Sequence, residues 1–175
     1  MESHFEFYEI KERFFIDEQQ LKQQYLKLSK ENHPDFFIED EVRYDAAMDI
    51  TSQNNTAYKV LKSFGSRVYY ILKLNGLLEE QGNKLPPDFL MEMMDLNEEI
   101  MDLKMDFDAT KLVALDKKVG ALADQWSKKI KELAQQADDF QNTERTGILK
   151  KIKEFYLKQK YVLRLKESLN TFAPQ

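Results

Sequence analysis

The sequence predicts an all-α protein, with a helical hairpin in its N-terminal part and an antiparallel three-helix bundle in its C-terminal part. Three observations carry that class. Ala, Glu, Lys, Leu and Gln dominate while only five glycines and four prolines are present, a balance that favours helices over sheets. Apolar residues recur at steps of three and four through the long segments. The breakers are concentrated, with Gly76, Gly82, Pro86 and Pro87 falling close together where the periodicity lapses. That cluster marks a linker over residues 76–86, between a first domain at 1–75 and a second at 87–175. An apolar content of 42% in 175 residues is enough to build cores.

The first domain opens on a short aromatic segment, Phe5 to Ile10. Asp17 then caps a helix, with Gln20 three residues on in a capping-box-like arrangement. Leu21, Tyr25 and Leu28 form its inward stripe. At about 100° per residue the opposite arc collects Gln19, Lys22, Gln23, Leu26, Lys27 and Lys30. This arc is basic, although residues 1–80 hold ten Lys and Arg against fifteen Asp and Glu. The stretch KENHPDFF, residues 30–37, ends the helix. Pro34 lacks an amide hydrogen and disfavours helical geometry in the residue before it, so the helix stops near Asn32 or His33. His33 is then placed to cover the last helical carbonyls, and Asp35 to project a carboxylate from a loop beside the basic arc. Taken alone, the tripeptide is equally a plain helix stop. A return helix runs from about Val42 to Leu61, with Ala47, Ile50, Asn54, Ala57, Tyr58 and Leu61 on one side.

Three helices are expected after the linker. Pro87 suits a first turn, and Met93, Leu96, Ile100, Leu103 and Phe107 form the stripe of the first. The second carries Leu112, Leu115, Val119, Leu122, Trp126, Ile130, Leu133 and Ala137, and the third Ile148, Ile152, Phe155, Val162 and Leu169. Short connections between long helices make the bundle antiparallel. The first helix has a second apolar arc, Leu90, Met94, Met101 and Met105, with Met91 and Glu98 at its edge. Methionine suits an adaptable contact surface. For Leu90, Met91 and Met94, at the free end, the contact reading is favoured. Met101 and Met105 are open to two readings, because a bundle helix facing two neighbours also needs a broad apolar arc.

Several function classes drop out. With no cysteine, thiolate chemistry and disulfides are excluded, and two histidines make a histidine-built metal site improbable. No cofactor is implied. No stretch approaches the roughly 20 apolar residues that span a bilayer, and MESHFEFYEI does not read as a leader, so the plain expectation is a cytoplasmic protein without membrane contact. Neither GxGxxG nor GxxxxGK[S/T] occurs, so an enzyme is not expected. From Ile148 to Leu169 seven basic residues, Lys150, Lys151, Lys153, Lys158, Lys160, Arg164 and Lys166, face only Glu154 and Glu167. Such a helix is open to a nucleic-acid or acidic-partner reading, although it is more often a solvated face.

A basic helix ending in His33-Pro34-Asp35, a loop and a return helix together resemble the J-domain of DnaJ-type co-chaperones. QNNTAYKVL and SRVYYILKLNG, with Asn55, Tyr58, Arg67 and Tyr70, are similar to the family pattern that follows, and DFLMEMMDLNEEI is similar to a segment of the HscB family. The resemblance implies a co-chaperone that stimulates the ATPase of a DnaK-class, HscA-like chaperone and delivers an IscU-like iron–sulfur scaffold protein to it. A general J-domain co-chaperone with another client is the alternative. The implied chaperone contacts are His33, Pro34 and Asp35, with Lys22, Lys27 and Lys30 steering toward an acidic groove. Asp35 would make the contact that releases the partner's arrest, with His33 and Pro34 holding it in place. The implied client contacts are Leu90, Met91, Met94, Asp95, Glu98 and Phe155. Family members usually carry an aromatic residue before the tripeptide and a basic one after it, where this chain has Asn32 and Phe36. Phe64-Gly65 stands where a proline is common.

Overall fold

A computed structural model describes residues 2–79, 82–140 and 142–171, with the side chains of Asn142 and Thr143 left undescribed. All regular structure among these residues is helical. The helices are α1 (His4–Phe7), α2 (Glu18–Glu31), α3 (Glu41–Leu61), α4 (Phe64–Leu74), α5 (Pro87–Glu92), α6 (Met94–Met105), α7 (Ala109–Asp139) and α8 (Asn142–Asn170), with one 3₁₀ turn at Pro34–Phe37. The chain divides into two compact units, Met1–Gly76 and Leu77–Gln175. Of the expected linker, residues 80 and 81 lie outside the described residues, and Leu85 packs on the core of the second unit.

Local chemistry sets the helix ends of the N-terminal unit. Ser3 and Glu6 form a reciprocal capping box on α1, a signal the sequence reading placed at Asp17 and Gln20 instead. Asp17 caps α2 through a single carboxylate oxygen that accepts from the Gln19 and Gln20 amides at 2.9 and 3.0 Å. Asp40 caps α3 by accepting from the Arg43 amide. At Phe64-Gly65 the chain breaks over Lys62 and Ser63 and restarts at once as α4.

The core of this unit is apolar, with Phe5, Phe14, Leu21, Leu61, Val68, Ile71 and Leu72 all buried. Each such side chain contributes roughly 1.5–3 kcal/mol by leaving water. Two polar residues are sunk among them. Asn54 accepts from the Tyr8 hydroxyl at 2.6 Å and donates to the Tyr25 carbonyl and the Ser29 hydroxyl, both at 3.0 Å. It thereby joins α3 to α2 and to the residue capping α1. Arg67 donates to the Phe14 carbonyl at 3.0 Å, to the Leu61 carbonyl and to Glu18 at 3.3 Å. One guanidinium thus satisfies the end of α3 and the loop before α2.

The C-terminal unit is an antiparallel bundle. Lys118 meets Glu99 and Trp126 meets Phe89 between α7 and the two short helices, while Trp126 meets Phe155 and the Arg145 Nε donates to the Ala137 carbonyl between α7 and α8. Residue numbers rise on one helix as they fall on its neighbour. The core holds Phe89, Met93, Leu96, Ile100, Leu103, Leu115, Val119, Ala123, Val162 and Leu169.

Three expectations about this unit are corrected. The first helix is not continuous: α5 ends at Glu92, α6 begins at Met94, and Met93 caps both. There the Met93 carbonyl accepts from both the backbone amide and the side-chain amide of Asn97, at 3.0 and 2.6 Å, and the same side chain donates to the Tyr161 hydroxyl at 2.8 Å. Phe107 is neither helical nor core: Asp106 is extended, Asp108 already caps α7, and the ring is exposed. On α8 it is Leu149 that is buried, Ile148 being half-buried.

Candidate functional site

The N-terminal candidate site is the turn at His33-Pro34-Asp35. Helix α2 stops at Glu31, and Asn32 caps it by donating its side-chain amide to the Leu28 carbonyl at 3.0 Å. This corrects the role expected for His33, which turns away from the finished helix and caps the next turn. Its Nδ1 accepts the Asp35 amide at 3.3 Å. That bond uses the Nδ1 lone pair, so the ring proton sits on Nε2. The 3.7 Å approach of Nδ1 to the Asp35 carboxylate is too long for a hydrogen bond and is not an ion pair in this tautomer. The expected loop is therefore a single 3₁₀ turn begun by Pro34, whose missing amide costs nothing at that position. Thr51 of α3 anchors the turn by donating its hydroxyl to the Asn32 carbonyl at 3.0 Å.

His33 and Asp35 are exposed, and so are Lys22, Lys27 and Lys30 along α2. The inward edge of α2 is held by the Tyr25 ring, stacked on Tyr58 at 4.2 Å, and by the Tyr25 hydroxyl, which donates to Asn55. A fixed turn thus presents a carboxylate and an imidazole beside a basic helix.

The C-terminal candidate site lies across the break between α5 and α6. Phe89, Met93, Leu96 and Ile100 point into the core, which leaves Leu90, Met91 and Met94 outward at 43%, 68% and 56% exposure. Asp95 and Glu98 are exposed beside them. Met101 and Met105, open to two readings from sequence, are also exposed, at 62% and 88%. Phe155 is different: half-buried, it stacks on Trp126 at 5.5 Å. The Lys158 ammonium lies 5.4–5.6 Å from the centroids of Phe89, Trp126 and Phe155 and pairs with Glu154 at 2.7 Å. Lys158 is thus engaged within the bundle, and Lys166 of the same basic run pairs with Asp116 of α7 at 3.9 Å. Phe89 and Lys158 were missed by sequence reasoning; only the one-residue phase difference between Phe89 and Leu90 hinted at the first.

Among the described residues no group of acidic, histidine or cysteine side chains is arranged to hold a metal ion, and no helix is long and apolar enough to cross a membrane.

Comparison with known proteins adds an independent line. Residues 85–170 match the family model described as the HSCB C-terminal oligomerisation domain. The chain is similar to a co-chaperone protein HscB homolog of Vibrio vulnificus, strain YJ016, 33% identical over 94% of this chain and 96% of the relative. It is also similar to the co-chaperone protein HscB of Buchnera aphidicola subsp. Acyrthosiphon pisum, strain APS, 30% identical over 99% of this chain and 98% of the relative. Among solved structures, chaperone HscB from Vibrio cholerae superposes with a TM-score of 0.68 at 27% identity, covering 97% of this chain and 96% of that one. Human co-chaperone protein HscB superposes at 0.69 with 24% identity, over 98% and 82%, a likeness of fold.

Proposed function

From the premise that this chain belongs to the HscB co-chaperone family, we infer that it acts as a two-ended adaptor in iron–sulfur protein maturation. Its N-terminal unit, read as a J-domain, stimulates the ATPase of a DnaK-class chaperone. Its C-terminal unit holds the iron–sulfur scaffold protein and presents it to that chaperone. The adaptor hydrolyses nothing itself and works in the cytoplasm. The observation that carries this reading is the exposed, internally braced His33-Pro34-Asp35 turn at the end of a basic helix.

The chemistry follows from where the groups sit. Lys22, Lys27 and Lys30 raise the encounter rate with an acidic surface more than the final affinity. Asp35 supplies an exposed carboxylate whose position is fixed by the His33 cap and by the ring of Pro34. At the other end, Leu90, Met91 and Met94 give an apolar, adaptable patch edged by Asp95 and Glu98, with Phe155 supporting the neighbouring aromatic cluster.

The test is single-turnover ATP hydrolysis by a DnaK-class chaperone with the parent chain, His33→Gln and Asp35→Asn. Both changes lie on an exposed turn, so circular dichroism is expected to be unchanged while stimulation is lost. Stimulation by the variants equal to that of the parent overturns the assignment.

A further inference from the structure

We propose that Phe36, Ile38 and Val42 form an apolar lobe of the chaperone-docking surface, so that this chain grips a DnaK-class partner through apolar contact as well as charge. The inference rests on the reading of the His33-Pro34-Asp35 turn as the chaperone contact and adds a second chemistry to it.

The three side chains are 67%, 71% and 80% exposed. They fall within eight residues of Pro34: Phe36 on the 3₁₀ turn, Ile38 just after it and Val42 on the first turn of α3. Isolated exposed apolar residues need no explanation, but three so close in sequence to one candidate contact point to an interaction surface. The neighbouring Phe37 shows the contrast: it is half-buried and lies under the Arg43 guanidinium at 5.2 Å. Phe36 instead points outward and leans on the imidazole of His33, with ring centroids 5.7 Å apart. The phenyl ring is therefore continuous with the turn that carries Asp35.

The partner's chemistry follows from this pairing. A carboxylate and a phenyl ring on adjacent exposed residues fit a surface with an apolar depression beside a polar contact. Apolar contact is insensitive to screening, whereas attraction by Lys22, Lys27 and Lys30 fades as salt rises. The lobe therefore matters most where the lysines matter least.

The experiment measures the concentration of intact chain that half-saturates ATPase stimulation of a DnaK-class chaperone, at low and at high salt. The variants are Phe36→Ala, Phe36→Lys, Ile38→Ser and Asp35→Asn, each checked by its melting curve. At high salt Phe36→Ala is expected to raise the half-saturating concentration roughly tenfold, the scale of an interface anchor, with the plateau at saturation retained. Ile38→Ser, which leaves the His33–Phe36 ring contact in place, is expected to shift it in the same direction. Phe36→Lys should recover at low salt only. Half-saturation by Phe36→Ala and Ile38→Ser equal to the parent's, with Asp35→Asn inactive, overturns the lobe and leaves the turn assignment standing. A lowered plateau with unchanged half-saturation also overturns it, because Phe36 then only positions His33. Full stimulation by Asp35→Asn overturns the turn assignment itself.

Discussion

In the N-terminal unit the helices are tied together by polar side chains sunk into the core, whereas in the C-terminal unit they are joined mainly by apolar stripes. The difference follows from helix length. Short helices leave a larger share of their backbone groups at unsatisfied ends, and the N-terminal unit packs four helices and a 3₁₀ turn into 76 residues. Asn54 and Arg67, the buried polar residues among those described, both lie there and spend most of their hydrogen bonds on backbone carbonyls or capping segments. Helices α7 and α8, of 31 and 29 residues, have few ends for their length and need only matching stripes. Under the proposed function, rigid polar anchoring suits a turn that holds Asp35 in one place. An apolar bundle can spare a methionine-rich outer face.

Denaturation of the intact chain tests this contrast. Trp126 is the single tryptophan and reports on the C-terminal unit alone, while circular dichroism reports on both. The largest expected effect is from Arg67→Met, which removes the Arg67 donors from the Phe14 and Leu61 carbonyls and should cost on the order of 3–5 kcal/mol. The dichroism transition should then split, with the Trp126 transition unmoved. If Trp126 shifts with it, the two units do not melt separately and the contrast breaks.

Asn54→Ala is expected to cost about 1–2 kcal/mol, because the Tyr25 carbonyl and the Ser29 hydroxyl lose the Asn54 donor while the buried Tyr8 hydroxyl keeps only the backbone carbonyl of residue 54, at 3.0 Å, as acceptor. Urea titration of the N-terminal transition measures it. A loss within about 0.5 kcal/mol would mean the network relaxes onto other partners.

The same logic predicts that Leu90, Met91 and Met94 changed together to Ala alter stability by only about 1 kcal/mol, since the side chains are 43–68% exposed and lie outside the core. Affinity for the iron–sulfur scaffold should fall roughly tenfold or more, while ATPase stimulation without scaffold persists. Calorimetric titration with the scaffold decides the first point. A large drop in melting temperature would make these side chains core and erase the distinction between inner and outer faces of α5 and α6.

The smallest effect is electrostatic. Burial lowers the pKa of His4 from its ordinary 6.5, and its ring stacks on Tyr70 at 4.5 Å. A base with a depressed folded pKa binds its proton better when unfolded, so stability is full above 6.5 and declines as pH falls below it. The N-terminal melting midpoint should therefore drop modestly between about pH 7.5 and pH 5.5. A His33→Gln background leaves His4 as the only imidazole, and adding His4→Phe should flatten the profile. A profile that keeps its slope would locate the titration elsewhere.

What the sequence by itself determined was local. The helical class, the stop forced by Pro34, the Asp17 cap, the basic arc of α2 and the inward phase of most stripes depend on neighbours within a turn or two, and each is readable from residue type and spacing. The family pattern was readable for the same reason, as a short ordered string around His33-Pro34-Asp35 and a longer one through Tyr70. Only the tertiary structure decided which polar residues became anchors. Asn54 looked like one more member of an apolar side, and Arg67 stood out only as part of a family pattern with no structural role attached, until the carbonyls of residues 25, 61 and 14 were brought to them. The tie from Met93 to α8 likewise waited on the fold, since the Asn97 side chain donates both to that carbonyl and to Tyr161, 64 residues away. Phe89 turned inward and Leu90 outward because α7 and α8 cover one side of the short helices and leave the other in water. Spacing along a chain fixes the period of a helix, but the partner that satisfies a buried group or covers a face comes from distant sequence, and only folding brings it there.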